Sequence, residues 1–143
     1  MENIHIFLSP NIKFYIYYIM NTIQKRFLAF LLLCIPMRII FALVAKYINN
    51  DYLPYIGFLA IIPAIGFSYI FIFGKRKTGG ETFGQKIWWN HLRPIHALLY
   101  ALFAYLAINK NKNSHFVLFL DVFIGLVSFL HYHYSVNSFS KLF

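Results

Sequence analysis

The chain has 143 residues, 60% of them apolar and only 12% charged, with a mean hydropathy of +0.62. Soluble domains run nearer half apolar and about a quarter charged, and a domain this small exposes too much surface to hide so much Phe, Ile and Leu from water. A soluble enzyme and a disordered chain are both excluded, which leaves a polytopic membrane protein. Thirteen Lys+Arg against four Asp+Glu give a net charge of +9. On an apolar chain that excess reads as topology and contact with anionic lipid, and nucleic acid is not an expected partner. The one cysteine, Cys34, excludes an intramolecular disulfide and a Cys-based metal site. Heavy use of Phe, Ile, Tyr, Asn and Lys, with little Gly, Ala, Arg and Pro, is the codon bias of an AT-rich genome.

Residues 1–26 read as an N-terminal interfacial segment or extension. The stretch 14–23 is apolar and aromatic, but Pro10, Asn11 and Lys13 cut it short of a span, so an interfacial helix is expected. The layout of a secretory signal is missing, with no basic start and no small-residue cleavage site. Met20, just before Lys25 and Arg26, is a plausible original start that would leave residues 1–19 as an extension.

A bilayer core needs about 20 apolar residues per helical span, and residues 27–143 hold four such stretches. The first covers 27–45 and is interrupted by Pro36 and Arg38; the second covers 52–73, carries no charge, and has Pro54 and Pro63, which predict a kink in mid-span. The third, 88–108, has a polar first third, and the fourth, 116–134, carries Asp121. The connections 46–51, 74–87 and 109–115 are short, and only the middle one, with its Gly pair, reads as flexible. The expected fold is therefore all-α: an integral membrane four-helix bundle.

Orientation follows from the basic residues. With four spans, Lys13, Lys25, Arg26, Lys75, Arg76, Lys77, Lys86 and Lys141 share one side, and Lys46, Lys110 and Lys112 the other. Both termini are thus expected in the cytoplasm, with Trp88 and Trp89 at the cytoplasmic interface. The basic loop Lys75, Arg76, Lys77 sets topology, and is a candidate contact for anionic lipid or a soluble partner.

Among the charges within the spans, Arg38 and Asp121 matter most. Each costs about 2.5–3.5 kcal/mol at mid-bilayer on insertion scales. Arg38 lies seven residues below Ala45 and Asp121 five below Phe116, depths of roughly 10 and 8 Å at the helical rise. Arg38 shares a stripe with Cys34, Ala42 and Ala45, and Asp121 with Gly125 and Ser128. Small residues line helix contacts in membranes, so both charges are expected inside the bundle as an ion pair. That pair is either a clip between the first and fourth spans or part of a proton or ion pathway. Similar stripes, Gly57, Ala60, Ala64 and Ser68, then Ala97, Ala101 and Ala104, mark packing faces on the second and third spans.

The start of the third span is the other polar feature. Pro94 suits a first helical turn, which makes residues 90–93 an interfacial turn. Asn90, Arg93, His96 and His131 fall at a similar cytoplasmic depth and form a candidate polar cluster. Three readings stand beside one another: structural hydrogen bonding with lipid-phosphate contact by Arg93, proton handling by His96 and His131, or a b-type haem or metal held between those histidines. No Ser/His/acid arrangement, paired carboxylates, HExxH or P-loop is present. Gly79 and Gly80 form a turn and not a phosphate cradle.

The run from Trp88 to His133 resembles a family of small membrane proteins encoded by large nucleocytoplasmic DNA viruses. The matching residues are Trp88 to His96 (WWNHLRPIH), Leu98 to Asn113 (LLYALFAYLAINKNKN) and Asp121 to Leu126 (DVFIGL), and the likeness extends back through Lys25, Arg38 and 63–66. The family often has an acid where His91 stands. What the resemblance implies is a viral membrane protein, and no catalytic residues carry over.

These observations lead to a small polytopic membrane protein, not an enzyme, with a structural or assembly role in a virion inner membrane or an infected cell's internal membrane. No cofactor is expected. Expected partners are the bilayer with its anionic lipids, further copies of the chain, and virion proteins. The alternative is a small proton or ion conductor lined by Arg38, Asp121, His96 and His131; a haem-binding redox protein stands third.

Overall fold

The computed structural model describes residues 20–74, 77–78, 82–84 and 86–142. The interfacial helix expected over 14–23 lies largely outside them, as do Lys13, Lys75 and Arg76. Five α-helices carry the described chain: α1 (Thr22–Ala29), α2 (Ile35–Tyr47), α3 (Leu53–Phe73), α4 (Arg93–Ile108) and α5 (His115–Ser135). Among the described residues there is no β-strand, only an isolated antiparallel bridge between Thr78 and Lys86 that pinches the middle loop. Four helical stretches are long and apolar enough to cross a membrane: Thr22–Tyr47, Leu53–Phe73, Asn90–Ile108 and Lys112–Ser135.

The first stretch begins five residues earlier than its apolar run, because Asn21 caps it. The Asn21 side chain accepts from the Gln24 backbone while the Gln24 side chain accepts from Asn21 N–H, so two otherwise unmet donors are satisfied. Thr22–Arg26 therefore belong to the first helix and not to a separate N-terminal segment. Pro36 does not break the stretch. Its ring would collide with a carbonyl one turn back, and it has no N–H to donate. A π-helical segment, Phe30–Cys34, joins α1 to α2, with Ile35 N–H reaching Phe30 O. The extra residue turns the helix face. Cys34 is consequently exposed, and Ile35 takes the buried place beside Arg38, Ala42 and Ala45 that the unbroken period assigns to Cys34.

In α3, Pro54 stands in the first turn, where its missing N–H costs nothing, so it is a helix start and not a kink residue. Only Pro63 lies inside the helix. The α3–α4 contact is a close one. A Cβ placed on Gly57 would stand 3.1 Å from Ala104 O, 3.1 Å from Ala107 Cβ and 3.0 Å from Ile108 Cγ1. Ala60 and Ala64 are buried with Gly57, and Ala97 and Ala104 are buried on α4. Ala101 departs from its stripe: it is exposed, and lines a shallow apolar groove between α3 and α4.

Two packed regions lie at opposite ends. At the end of the two short connections, Ala42, Ala45, Leu53, Phe103, Ala107 and Leu118 belong to one apolar cluster. At the end of the two tails, α1 packs on the last turns of α5: Phe27 meets Phe129 edge-on at 4.9 Å, and Phe30 stacks on Phe129 at 4.1 Å. Trp88 stacks on Tyr132 there at 4.7 Å. The tails are tied together by Asn21 Nδ2 donating to Lys141 O and Gln24 Nε2 to Leu142 O. Outward faces remain apolar, with Leu33 69%, Ile62 69% and Leu98 70% exposed, as bilayer-facing surfaces are and water-facing ones rarely are.

Candidate functional site

The site lies between these two regions, where three helices bring one polar residue each. Arg38 comes from α2, His96 from the first turn of α4, and Asp121 from α5. Arg38 Nη1 donates to Asp121 Oδ2 at 2.9 Å, and His96 Nδ1 lies 2.5 Å from Asp121 Oδ1. The two side chains around the carboxylate keep 20% (Arg38) and 7% (His96) exposure, while Asp121 keeps 1%.

Register explains the meeting. Arg38 precedes Tyr47 by nine residues and Asp121 follows Lys112 by nine, so both lie about 14 Å from the same end of their stretches. His96 precedes Ile108 by twelve, a further ~4 Å that side-chain reach covers. The α4 stretch is the shortest of its neighbours, at 19 residues against 26 and 24. Its polar start therefore stands level with Gly125 in mid-α5 and not with the histidines at the α5 terminus. A Cβ on Gly125 would lie 3.4 Å from Arg38 Nη1 and 3.8 Å from His96 Cε1, ordinary contact distances.

The carboxylate accepts from both sides. With a carboxylate as acceptor, the hydrogen on the Asp121–His96 contact belongs to Nδ1. The 3.3 Å approach of Arg38 Nη1 to His96 Nδ1 is then two donors side by side on one acceptor. Aromatic rings close the surroundings: Phe67 of α3 lies 5.9 Å from the imidazole, 6.0 Å from Tyr100 and 6.0 Å from the guanidinium carbon.

The expected polar cluster of Asn90, Arg93, His96 and His131 does not assemble as a unit. Arg93 Nη1 donates to Asn90 Oδ1 at 2.8 Å, whereas His96 turns to Asp121. His131 is exposed. The buried row on α5 runs Asp121, Gly125, Phe129, His133 at intervals of four, and His131 is two residues from the last two members, about 200° around the helix. The histidine pair imagined for a haem therefore does not face across a cavity. Among the described residues, no group of three or more His, Cys, Asp or Glu comes together to hold a metal ion. Lys77 is exposed on the middle loop.

The buried histidine of the tail end is His133, which the α5 row identifies and depth alone does not. Its Nδ1 lies 2.9 Å from Ser138 Oγ, while its Nε2 has no hydrogen-bond partner among the described residues. Phe27 and Phe129 pack against the ring at 4.6 and 4.4 Å. Arg26 is buried beside Tyr132 in the same region and is not a purely flanking charge. Comparison of the chain with known families, with curated proteins and with solved structures finds no match.

Proposed function

We propose that the chain is a small integral membrane protein with a structural or assembly role, a four-helix transmembrane bundle with both termini in the cytoplasm. The observation that carries this reading is the closure of the Arg38–Asp121–His96 triad within one chain, so that no charge of the triad is left to be met by a ligand. Placing charge in a bilayer is expensive, and a shared carboxylate offsets that cost while tying the first, third and fourth spans together. On one side of the triad, Leu53, Phe103 and Leu118 have at most 2% exposure, and packing of that density supports a clamp over an open conduit.

The resemblance of Trp88–Leu126 to small membrane proteins of large DNA viruses supports a virion inner membrane or an infected cell's internal membrane as its location. The excess of Lys and Arg on the tails and middle loop supports the cytoplasmic orientation and contact with anionic lipid or virion proteins. A conductor draws on the same triad, because a titratable imidazole joins the ion pair. Proton and ion flux into sealed liposomes separates the two: the structural reading expects no flux above protein-free vesicles, and flux abolished by Asp121→Asn would overturn it.

A further inference from the structure

An ion pair alone would join α2 to α5, yet the fold adds a third, titratable group from α4. Asp121 spends one oxygen on Arg38 Nη1 and the other on His96 Nδ1. That second bond assigns a hydrogen to Nδ1, so that in the neutral ring the lone pair is on Nε2, which has no hydrogen-bond partner among the described residues. The arrangement is half of what a positioned base requires: a carboxylate that orients the ring and compensates the charge it would gain.

We propose that His96 Nε2 is a reversible proton-binding site inside the membrane-spanning region, with Asp121 as its counter-charge. The proton comes from water and adds to the Nε2 lone pair; no bond within the protein breaks, and the triad passes from net neutral to +1. Every packed element bears on the balance. From α5, Asp121 favours the imidazolium. From α2, Arg38 opposes it, its Nη1 being 3.3 Å from the ring nitrogen. On α4 itself, Tyr100 lies one turn on and is a neutral phenol, and Arg93 lies one turn before and bonds Asn90. From α3, Phe67 offers a ring and no titratable group. The Arg38 and His96 side chains keep 20% and 7% of their surface exposed. The site stands whether or not the protein is a scaffold, since binding a proton on one side of the bundle requires no pathway through it.

The test is 15N NMR of the full chain with labelled histidine in phosphatidylcholine vesicles, from about pH 4 to 9, the His96 signals being assigned by their loss in His96→Gln. At the alkaline end Nδ1 is expected protonated and Nε2 bare, and acidification protonates Nε2. Arg38→Gln moves the midpoint to higher pH and Asp121→Asn moves it to lower pH, each by roughly one unit or more for a charge at contact distance. Arg38→Gln keeps the Asp121–His96 contact and decides the matter alone where the Asn variant does not fold. An Nε2–H tautomer, a His96 signal that never titrates in the folded wild type, or a midpoint unmoved by Arg38→Gln would overturn the proposal.

Discussion

Replacing Asp121 with leucine removes one carboxylate and strands two donors, which makes it the most damaging single change the fold predicts. Leaving a buried charge without its partner costs about 3–5 kcal/mol, and leaving the His96 Nδ1–H unmet adds about 1–3 kcal/mol. The total, roughly 4–8 kcal/mol, rivals the whole stability of a typical domain. Arg38→Leu should cost less, about 3 kcal/mol, because the carboxylate keeps its bond to His96. The double change removes both charges and leaves only the histidine donor unmet, about 1–3 kcal/mol, so it should be more stable than either single variant. Reversible unfolding in mixed micelles, read by SDS titration or steric trapping, measures all three. Additivity of the two single changes to within about 0.5 kcal/mol would mean that the pair is uncoupled, and the clamp would be refuted.

Further outcomes follow from the packing. Gly57→Ala should destabilise the α3–α4 contact by about 1–3 kcal/mol, since its Cβ would meet a backbone carbonyl at 3.1 Å that has no room to move; Gly125→Ala, whose nearest neighbour is 3.4 Å away, should be tolerated in the same unfolding assay. His133→Ala should cost about 3–5 kcal/mol by opening an aromatic-sized cavity, whereas exposed His131→Ala should stay within about 0.5 kcal/mol. Cys34, the chain's one thiol, is exposed at the midpoint of the first stretch. In intact bilayers it should resist a charged maleimide and react only after SDS unfolding, because the hydrocarbon phase excludes the charged reagent; rapid labelling in sealed vesicles would argue against a transmembrane first helix.

Much of this fold was legible in residue pattern. Apolar run length located four long helices, since a bilayer-length helix needs nothing more specific than that. The spacing of Arg38 and Asp121 from their outer ends placed them at comparable depth. What the pattern obscured was phase and register. The π segment before Pro36 is a backbone response to proline that no hydrophobic period announces, and it moved Cys34 off the packed face. Depth alone groups His96 with His131, but the shorter α4 stretch puts it beside Gly125. His133 was readable all along, as the continuation of Asp121, Gly125 and Phe129 at intervals of four, whereas matching histidines by depth alone selected His131 on the wrong face. The partnership of His96 with Asp121 depends on helix placement in three dimensions, which sequence spacing within one helix does not encode.

The central claim is that three spans meet on one carboxylate. The most direct measurement is 15N–13C dipolar recoupling between His96 Nδ1 and Asp121 Cγ in lipid bilayers, with the pair labelled selectively. A coupling of hydrogen-bonded strength, absent when His96 is replaced by Gln, is the result this account predicts. A well-folded protein with no measurable coupling would contradict it.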